Sequence, residues 1–291
     1  MKLVNQKAEL WQQGPTQDDM WNHIAKCTRV CYQSTPKNKE ESGEDFCKRT
    51  ILLNKHYGML EHGTVYLIVH NTNRSTFGNN WENTRLRYLH NPYSVVKTVY
   101  DKSYITTNYR AILENGWEKD LDYWSEPTEF HEKRYTLNLI TSIGIGRELC
   151  RHRKFSFAQE STRYCNYGKQ EEMEFVLPYW TNLNPGLYTF DGTGYVGDGF
   201  CEDYGESTKE TVFLEALSDC EEHYLDILNK GLKAQDAREV LPLALKSQLI
   251  MTGFESDWKD FLDKRLKETT GKVHPDMKEL SELISKELPC K

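Results

Sequence analysis

None of the eight cysteines (27, 31, 47, 150, 165, 201, 220 and 290) forms a Cys-x-x-Cys pair. Cys27 and Cys31 lie four apart with no matching His/Cys pair downstream, so no zinc site or other metal site is expected. No apolar run approaches the roughly 20 residues that span a bilayer, and no membrane association is expected. The opening MKLVNQKAELWQQ lacks the apolar core of a secretory leader. Reduced thiols in a cytoplasmic protein are the economical expectation. Positive charge is also scarce: 37 Lys and Arg face 44 Asp and Glu, a net charge of -7. A general nucleic-acid binder is normally basic, so no nucleic-acid partner is expected, although a few clustered arginines can still make a local anion site. No internal repeat is present, and His131-Glu132 lacks the second histidine of a zinc protease because Tyr135 occupies its place.

What remains is an ordinary globular composition, 38% hydrophobic and 28% charged, long enough at 291 residues to bury a sizeable core. Thr16 with Asp19 suggests a capped helix over 16–33, and Ser42 caps a second over 43–57 that Gly58 ends. Strands are expected at 64–70, 94–100, 104–107, 133–142 and 174–177, and short helices at 108–114 and 145–152. Residues 154–170 read as a loop, and 180–207, rich in Gly, Asn, Asp and Tyr, as a long surface insertion in a single domain spanning 1–291. A helix over 208–232 would bury Val212, Leu214, Leu217 and Leu225. A last long helix follows Pro242 to about Lys267, with an amphipathic one at 275–288. Strands and helices do not alternate regularly, so the class is α+β.

Two segments imitate dinucleotide-binding loops. Gly192-Thr-Gly194-Tyr-Val-Gly197 sits in the insertion with no helix after it. Gly144-Ile-Gly146 lies between a strand and a helix, but Leu149 stands where close packing wants Gly or Ala. Ser161 lacks the Gly-x-Ser-x-Gly elbow of a nucleophile.

Residues 151–164 carry more chemistry: Arg-His-Arg-Lys-Phe-Ser-Phe-Ala-Gln-Glu-Ser-Thr-Arg-Tyr. Guanidinium groups grip phosphate or carboxylate bidentately. Ser156, Gln159 and Ser161 add neutral partners able to read a pyrimidine edge. The plain alternative is a helix C-terminus whose arginines complement the dipole.

The spacing Arg151-His152-Arg153, seven residues, Ser161, continued as Ser161-Thr-Arg163-Tyr164, resembles the signature of the flavin-dependent thymidylate synthases, the ThyX family. His56-Tyr-Gly-Met-Leu-Glu61-His62, Gln235-Asp-Ala-Arg238-Glu-Val-Leu241-Pro242 and Phe261-Leu-Asp-Lys-Arg265 are similar to further blocks of that family, in family order. The resemblance implies a central, mostly antiparallel sheet flanked by helices. It also implies conversion of dUMP to dTMP, with methylenetetrahydrofolate as carbon donor and NADPH reducing FAD. By the same resemblance, Arg151, His152 and Arg153 grip FAD, with His56 and Gly58 beside the flavin. Glu148, Arg151, Gln159, Glu160, Ser161, Thr162, Arg163 and Arg238 meet the nucleotide, Gln159 also near the cofactor. Arg265 acts on the uracil ring, stabilising charge that develops there. Phe254 and Ser256 stand where many relatives carry Asn and Arg against FAD, and Asp260 where Asn is common. Gly58 replaces Ser or Thr, and Glu148 replaces Gln. A hold on FAD through Phe254, Ser256 and Asp260 would therefore differ from the usual one.

Arg238 and Arg265 are 27 positions apart. A mostly helical span at about 1.5 Å per residue separates them by roughly 35–40 Å, so the segment either folds back or the site is shared between subunits. The homotetramer implied by the resemblance favours sharing. Two other classes compete: a Rossmann-type flavin or nicotinamide oxidoreductase built on Gly144, and a non-catalytic nucleotide- or RNA-binding protein.

Overall fold

The computed structural model describes residues 1–34, 41–70, 81–190, 194–197, 200–201 and 207–289. The chain opens with β1 (Lys2–Val4) and β2 (Lys7–Trp11), then α1 (Gln17–Val30). Thr16 and Asp19 close a reciprocal capping box that fixes where α1 begins. Ser42 caps α2 (Gly43–Cys47), which runs into a π-helical turn at Lys48–Leu52. The helix expected to reach 57 stops there, and Gly58 instead lies in a 3-10 turn, Tyr57–His62.

The strands β3 (Thr64–His70), β4 (Val95–Val99) and β5 (Lys102–Asn108) form an antiparallel sheet, with α3 (Trp81–Leu89) between the first two in sequence. Helix α4 (Tyr109–Asn115) is capped by Asn108 and ended by Gly116 at φ +66°, a conformation glycine adopts without penalty. Then come β6 (Arg134–Ser142), α5 (Ile143–Leu149) and β7 (Ser156–Gln159). The expected loop at 154–170 therefore contains a strand. Next are β8 (Glu174–Val176), β9 (Gly186–Phe190), β10 (Tyr195–Gly197) and β11 (Phe200–Cys201). The described part of the insertion is thus an extension of a mixed sheet ordered β11-β10-β9-β1-β8. Gly192 lies outside the described residues, and Gly197 ends a strand rather than opening a helix.

Helix α6 (Lys209–Asn229) buries Leu214 and Leu217, but Val212 and Leu225 face outward, because the burying stripe is narrower than the apolar positions suggest. After α7 (Ala234–Ala237) comes the largest departure from expectation. Residues after Pro242 form β12 (Lys246–Phe254), followed by α8 (Glu255–Arg265) and α9 (Pro275–Glu287). The premise of a helical rod between Arg238 and Arg265 fails, and the distance drawn from it falls with it.

β12 lies inside the central sheet, β2-β6-β12-β7, all antiparallel. Both of its faces are covered. Ile250 packs with Ala158, Cys27 and Val30 on the α1 side. Leu249 and Met251 pack on the other side with Ile145 and Leu149 of α5, Trp258 and Phe261 of α8, and Leu280 and Ile284 of α9. No helix among the described residues is long and apolar enough to cross a membrane.

Gly253 shows how tight this packing is. A Cβ there would sit 2.4 Å from Cδ1 of the Phe155 ring. The Gly253→Ala variant is expected to lose about 1–3 kcal/mol of stability, read as a lower urea midpoint with an unchanged m-value.

Candidate functional site

Ser142 ends β6 and caps α5, its hydroxyl accepting from the Ile145 N–H at 3.2 Å. This short helix delivers Glu148 and then the Arg151-His152-Arg153 turn to the edge of the α8 layer. Arg151 and Arg153 are exposed, and neither guanidinium has a partner among the described residues. His152 turns inward against Phe261, with ring centroids 4.9 Å apart. Its Nε2 accepts a hydrogen bond of 2.8 Å from Nε of Arg265, in the last turn of α8. Burial, reinforced by the Arg265 and Lys264 cations, pushes His152 down to about 4. The ring is therefore neutral near pH 7, with its proton on Nδ1 and its Nε2 lone pair committed to Arg265. Among the described residues the terminal nitrogens of Arg265 face one carboxylate, Glu148, at 3.9 Å. Asp260 is held by Lys264 at 2.6 Å, one turn away, which lowers its pKa.

A second group forms where β7 ends. Gln159 lies on the α5 side, donating to Ser247 Oγ at 3.0 Å and standing close over Gly146. Glu160, expected at the nucleotide, turns the opposite way. The residue is 3% exposed, its carboxylate accepting from the Gln248 N–H at 3.1 Å and facing Lys246 Nζ at 3.5 Å. The carboxylate braces the loop from beneath. Ser161 is pinned through its N–H to the Cys31 carbonyl at 3.1 Å, and its hydroxyl accepts from the Arg163 N–H. Thr162 is half-buried in the same turn. Arg163 is exposed, lies over the Tyr164 ring, and reaches the Gln235 side chain at 3.5 Å. Gln235 belongs to the segment that carries Arg238, which is exposed with Glu239 at 3.7 Å.

His56 and Gly58 line a cavity of about 320 Å³ together with Cys31, Tyr32, Met59 and Arg110. A Cβ on Gly58 would meet nothing within 4 Å, so this wall is open. The tilted contact of Tyr32 with Tyr164, 5.2 Å between centroids, joins the cavity to the Arg163 loop. Cys31, Tyr32 and Arg110 escaped the sequence reading. Nothing in their spacing marks them, since helix end, turn and α4 meet only in the fold. Phe254 and Ser256 stand at the start of α8, with the Arg134 guanidinium 5.4 Å from the Phe254 ring centre.

The Arg151–Arg265 group and the His56 cavity lie on opposite faces of the central sheet, the first with α5 and α8, the second with α1. The turn carrying His56 is tied to the sheet by a buried chain. His62 Nδ1 lies 2.8 Å from Thr252 Oγ1, Thr252 Oγ1 lies 2.8 Å from Thr136 Oγ1, and Thr136 Oγ1 lies 3.1 Å from His23 Nε2. Thr252→Val removes both bonds that the Thr252 hydroxyl makes. It is expected to lose about 1–3 kcal/mol by urea denaturation, with Thr252→Ser restoring most of it.

Gly144 and Gly146 do not form a dinucleotide loop. The strand before them is antiparallel to both neighbours, so no parallel βαβ unit exists to aim α5 at a pyrophosphate. Among the described residues no general base is hydrogen-bonded to the Ser161 hydroxyl, which accepts from the Arg163 N–H. Burial raises the pKa of Cys31 and of Cys150, keeping both as thiols, poor nucleophiles. His131 is buried, its Nε2 3.1 Å from the Leu67 carbonyl, and among the described residues no His/Cys/Asp/Glu group is arranged to hold a metal.

Comparison with known proteins matches the family model described as thymidylate synthase complementing protein (Thy1) to residues 124–289. The chain is 27% identical over 155 residues to a probable flavin-dependent thymidylate synthase of Paramecium bursaria Chlorella virus 1, covering 53% of this chain and 67% of that one. It is 34% identical over 133 residues to a flavin-dependent thymidylate synthase of Corynebacterium glutamicum, covering 43% and 48%. Among solved structures it is similar to a UMP/dUMP methylase, PolB from Streptomyces cacaoi bound with 5-Br dUMP. That likeness has a TM-score of 0.43 at 17% identity and covers 98% of this chain and 91% of that one. The chain spans about half to two thirds of the length of the curated relatives it matches. The family match covers more than half of the chain and runs through Arg151, Arg153, Arg163, Arg238 and Arg265: the chain belongs to the Thy1 family of thymidylate synthase complementing proteins.

Proposed function

We propose that this chain is a flavin-dependent thymidylate synthase, working as a single domain with 180–207 as an insertion, that converts dUMP to dTMP. Methylenetetrahydrofolate supplies the carbon and NADPH the reducing equivalents. The observation that carries the reading is Arg265, fixed by a neutral His152 beside two unpaired arginines.

The residues fit a bound flavin. The cavity at His56 and Gly58 is open and mostly apolar, and Arg151 and Arg153 offer free guanidinium donors to the cofactor's phosphates. When bound, FAD supplies the hydride chemistry that no side chain can. The protein's own work is orientation and charge. Arg163 and Arg238 grip the nucleotide phosphate, while Ser161 and Gln159 meet the base. Arg265 presents its two terminal nitrogens to the uracil ring and stabilises negative charge as it develops. The clusters on opposite faces of the sheet support sites completed by a second copy in a homotetramer, since one ligand cannot reach both faces of a single chain.

The test is direct. Purified protein is expected to show visible flavin absorbance and to release tritium from 5-labelled dUMP when given the folate and NADPH. A colourless protein that releases none contradicts the reading. Arg163→Gln is expected to raise the KM for dUMP about tenfold or more with a smaller effect on kcat, as loss of a charge-assisted contact worth about 1.5–3 kcal/mol.

A further inference from the structure

A cavity of about 240 Å³ lies apart from the residues assigned above, between the segment after β2 and the starts of β3 and β6. Trp11, Tyr66 and Tyr135 give it aromatic walls, and Lys133 and Arg134 line it. No acidic side chain is among its lining residues.

Arg134 is the unusual member. Its terminal nitrogens donate to Thr64 Oγ1 at 3.2 Å and to the Glu61 carbonyl at 3.0 Å, both neutral acceptors. Its Nε is buried without a partner. Among the described residues no carboxylate forms an ion pair with it, since the Glu61 carboxylate is taken by Arg110. Burial pushes Arg134 down to about 10 and also lowers Lys133, whose amine donates to the Thr128 carbonyl. A half-buried guanidinium with no ion-pair partner among the described residues and an unpartnered Nε is unfavourable, and an anion entering the cavity would relieve it. The volume is below the roughly 300–1,000 Å³ of drug-sized sites, which limits the occupant to about one ring.

We propose that this cavity is an anion site that takes the carboxylate or phosphate end of a ligand with one planar ring, paired with Arg134 and Lys133 and packed against Trp11, Tyr66 and Tyr135. Two sources share that chemistry, a free aromatic acid and the phosphate-bearing end of a larger cofactor.

Isothermal titration of the full chain with benzoate and with inorganic phosphate tests it. Saturable binding of at least one probe is expected. Lys133→Met is expected to weaken it at least tenfold with an unchanged melting temperature. Arg134→Met is expected to abolish it, and Lys133→Met keeps the test decisive if Arg134→Met does not fold. Pre-saturation with FAD separates the sources: loss of probe binding assigns the site to the cofactor's phosphates, and retained binding to a free aromatic acid. No saturable binding of either probe, or equal affinity in Lys133→Met and the parent chain, overturns the proposal.

Discussion

Replacing Arg265 with alanine is expected to lower kcat/KM for dUMP by about 10²–10³, the loss typical of one preorganised group that stabilises developing charge. The effect falls mainly on kcat, because the interaction strengthens as charge builds on the pyrimidine. Arg265→Lys recovers only part of the loss. A single ammonium cannot donate to His152 and also present two coplanar N–H groups to a ring. His152→Gln separates position from charge. It leaves the guanidinium but removes the 2.8 Å acceptor, and an intermediate loss is expected. The melting temperature of Arg265→Ala should stay close to that of the parent, since the Glu148 pair at 3.9 Å is loose. Turnover of Arg265→Ala within threefold of the parent would contradict the assignment.

Acid is expected to unfold this protein well before its carboxylates protonate. His23 is pushed down to about 4 and His62 to about 3, with burial the main cause in each. Both are raised again to the ordinary 6.5 when the chain unfolds, so the unfolded state binds more protons below that value. The stabilisation is complete above about pH 6.5 and is lost as pH falls toward 4 and then 3. Each histidine loses about 2 kcal/mol between pH 7 and pH 5, so the pair loses about 4 kcal/mol. That is a large share of a typical stability of about 5–15 kcal/mol. His131, also lowered by burial, adds in the same direction. The lowered carboxylates Glu9 and Glu174 lose their contribution only below their ordinary 4.5, outside this window. Urea midpoints at pH 7 and pH 5 measure the effect, and His23→Gln with His62→Gln should flatten the dependence. A midpoint unchanged between the two pH values in the parent chain would refute the buried, neutral pair.

The candidate site was legible in the sequence mainly through a resemblance. Arg151, His152, Arg153, Arg163 and Arg265 are named by their match to the ThyX blocks, because three basic residues in a row can equally just end a helix. Thr16 and Ser42 marked helix starts correctly, because capping is local. β12 was misread because both its faces are covered. Leu249, Ile250 and Met251 are all fully buried, so the strand shows a continuous apolar run instead of alternation and looks like a helix. β7 was missed because four residues at a sheet edge give too little pattern, and its partner lies about 90 positions away. The inward turn of Glu160 has the same origin. Its partners Lys246 and Gln248 come from the misread strand.

The central claim is that arginines on this chain hold dUMP by its phosphate against a flavin. Titrating flavin-loaded protein with dUMP and with deoxyuridine, and following the visible flavin spectrum, tests it most directly. A saturable spectral change is predicted with dUMP, at least a hundredfold weaker with deoxyuridine, and lost for dUMP in Arg163→Gln. Equal responses to dUMP and deoxyuridine, or a full dUMP response in Arg163→Gln, would contradict it.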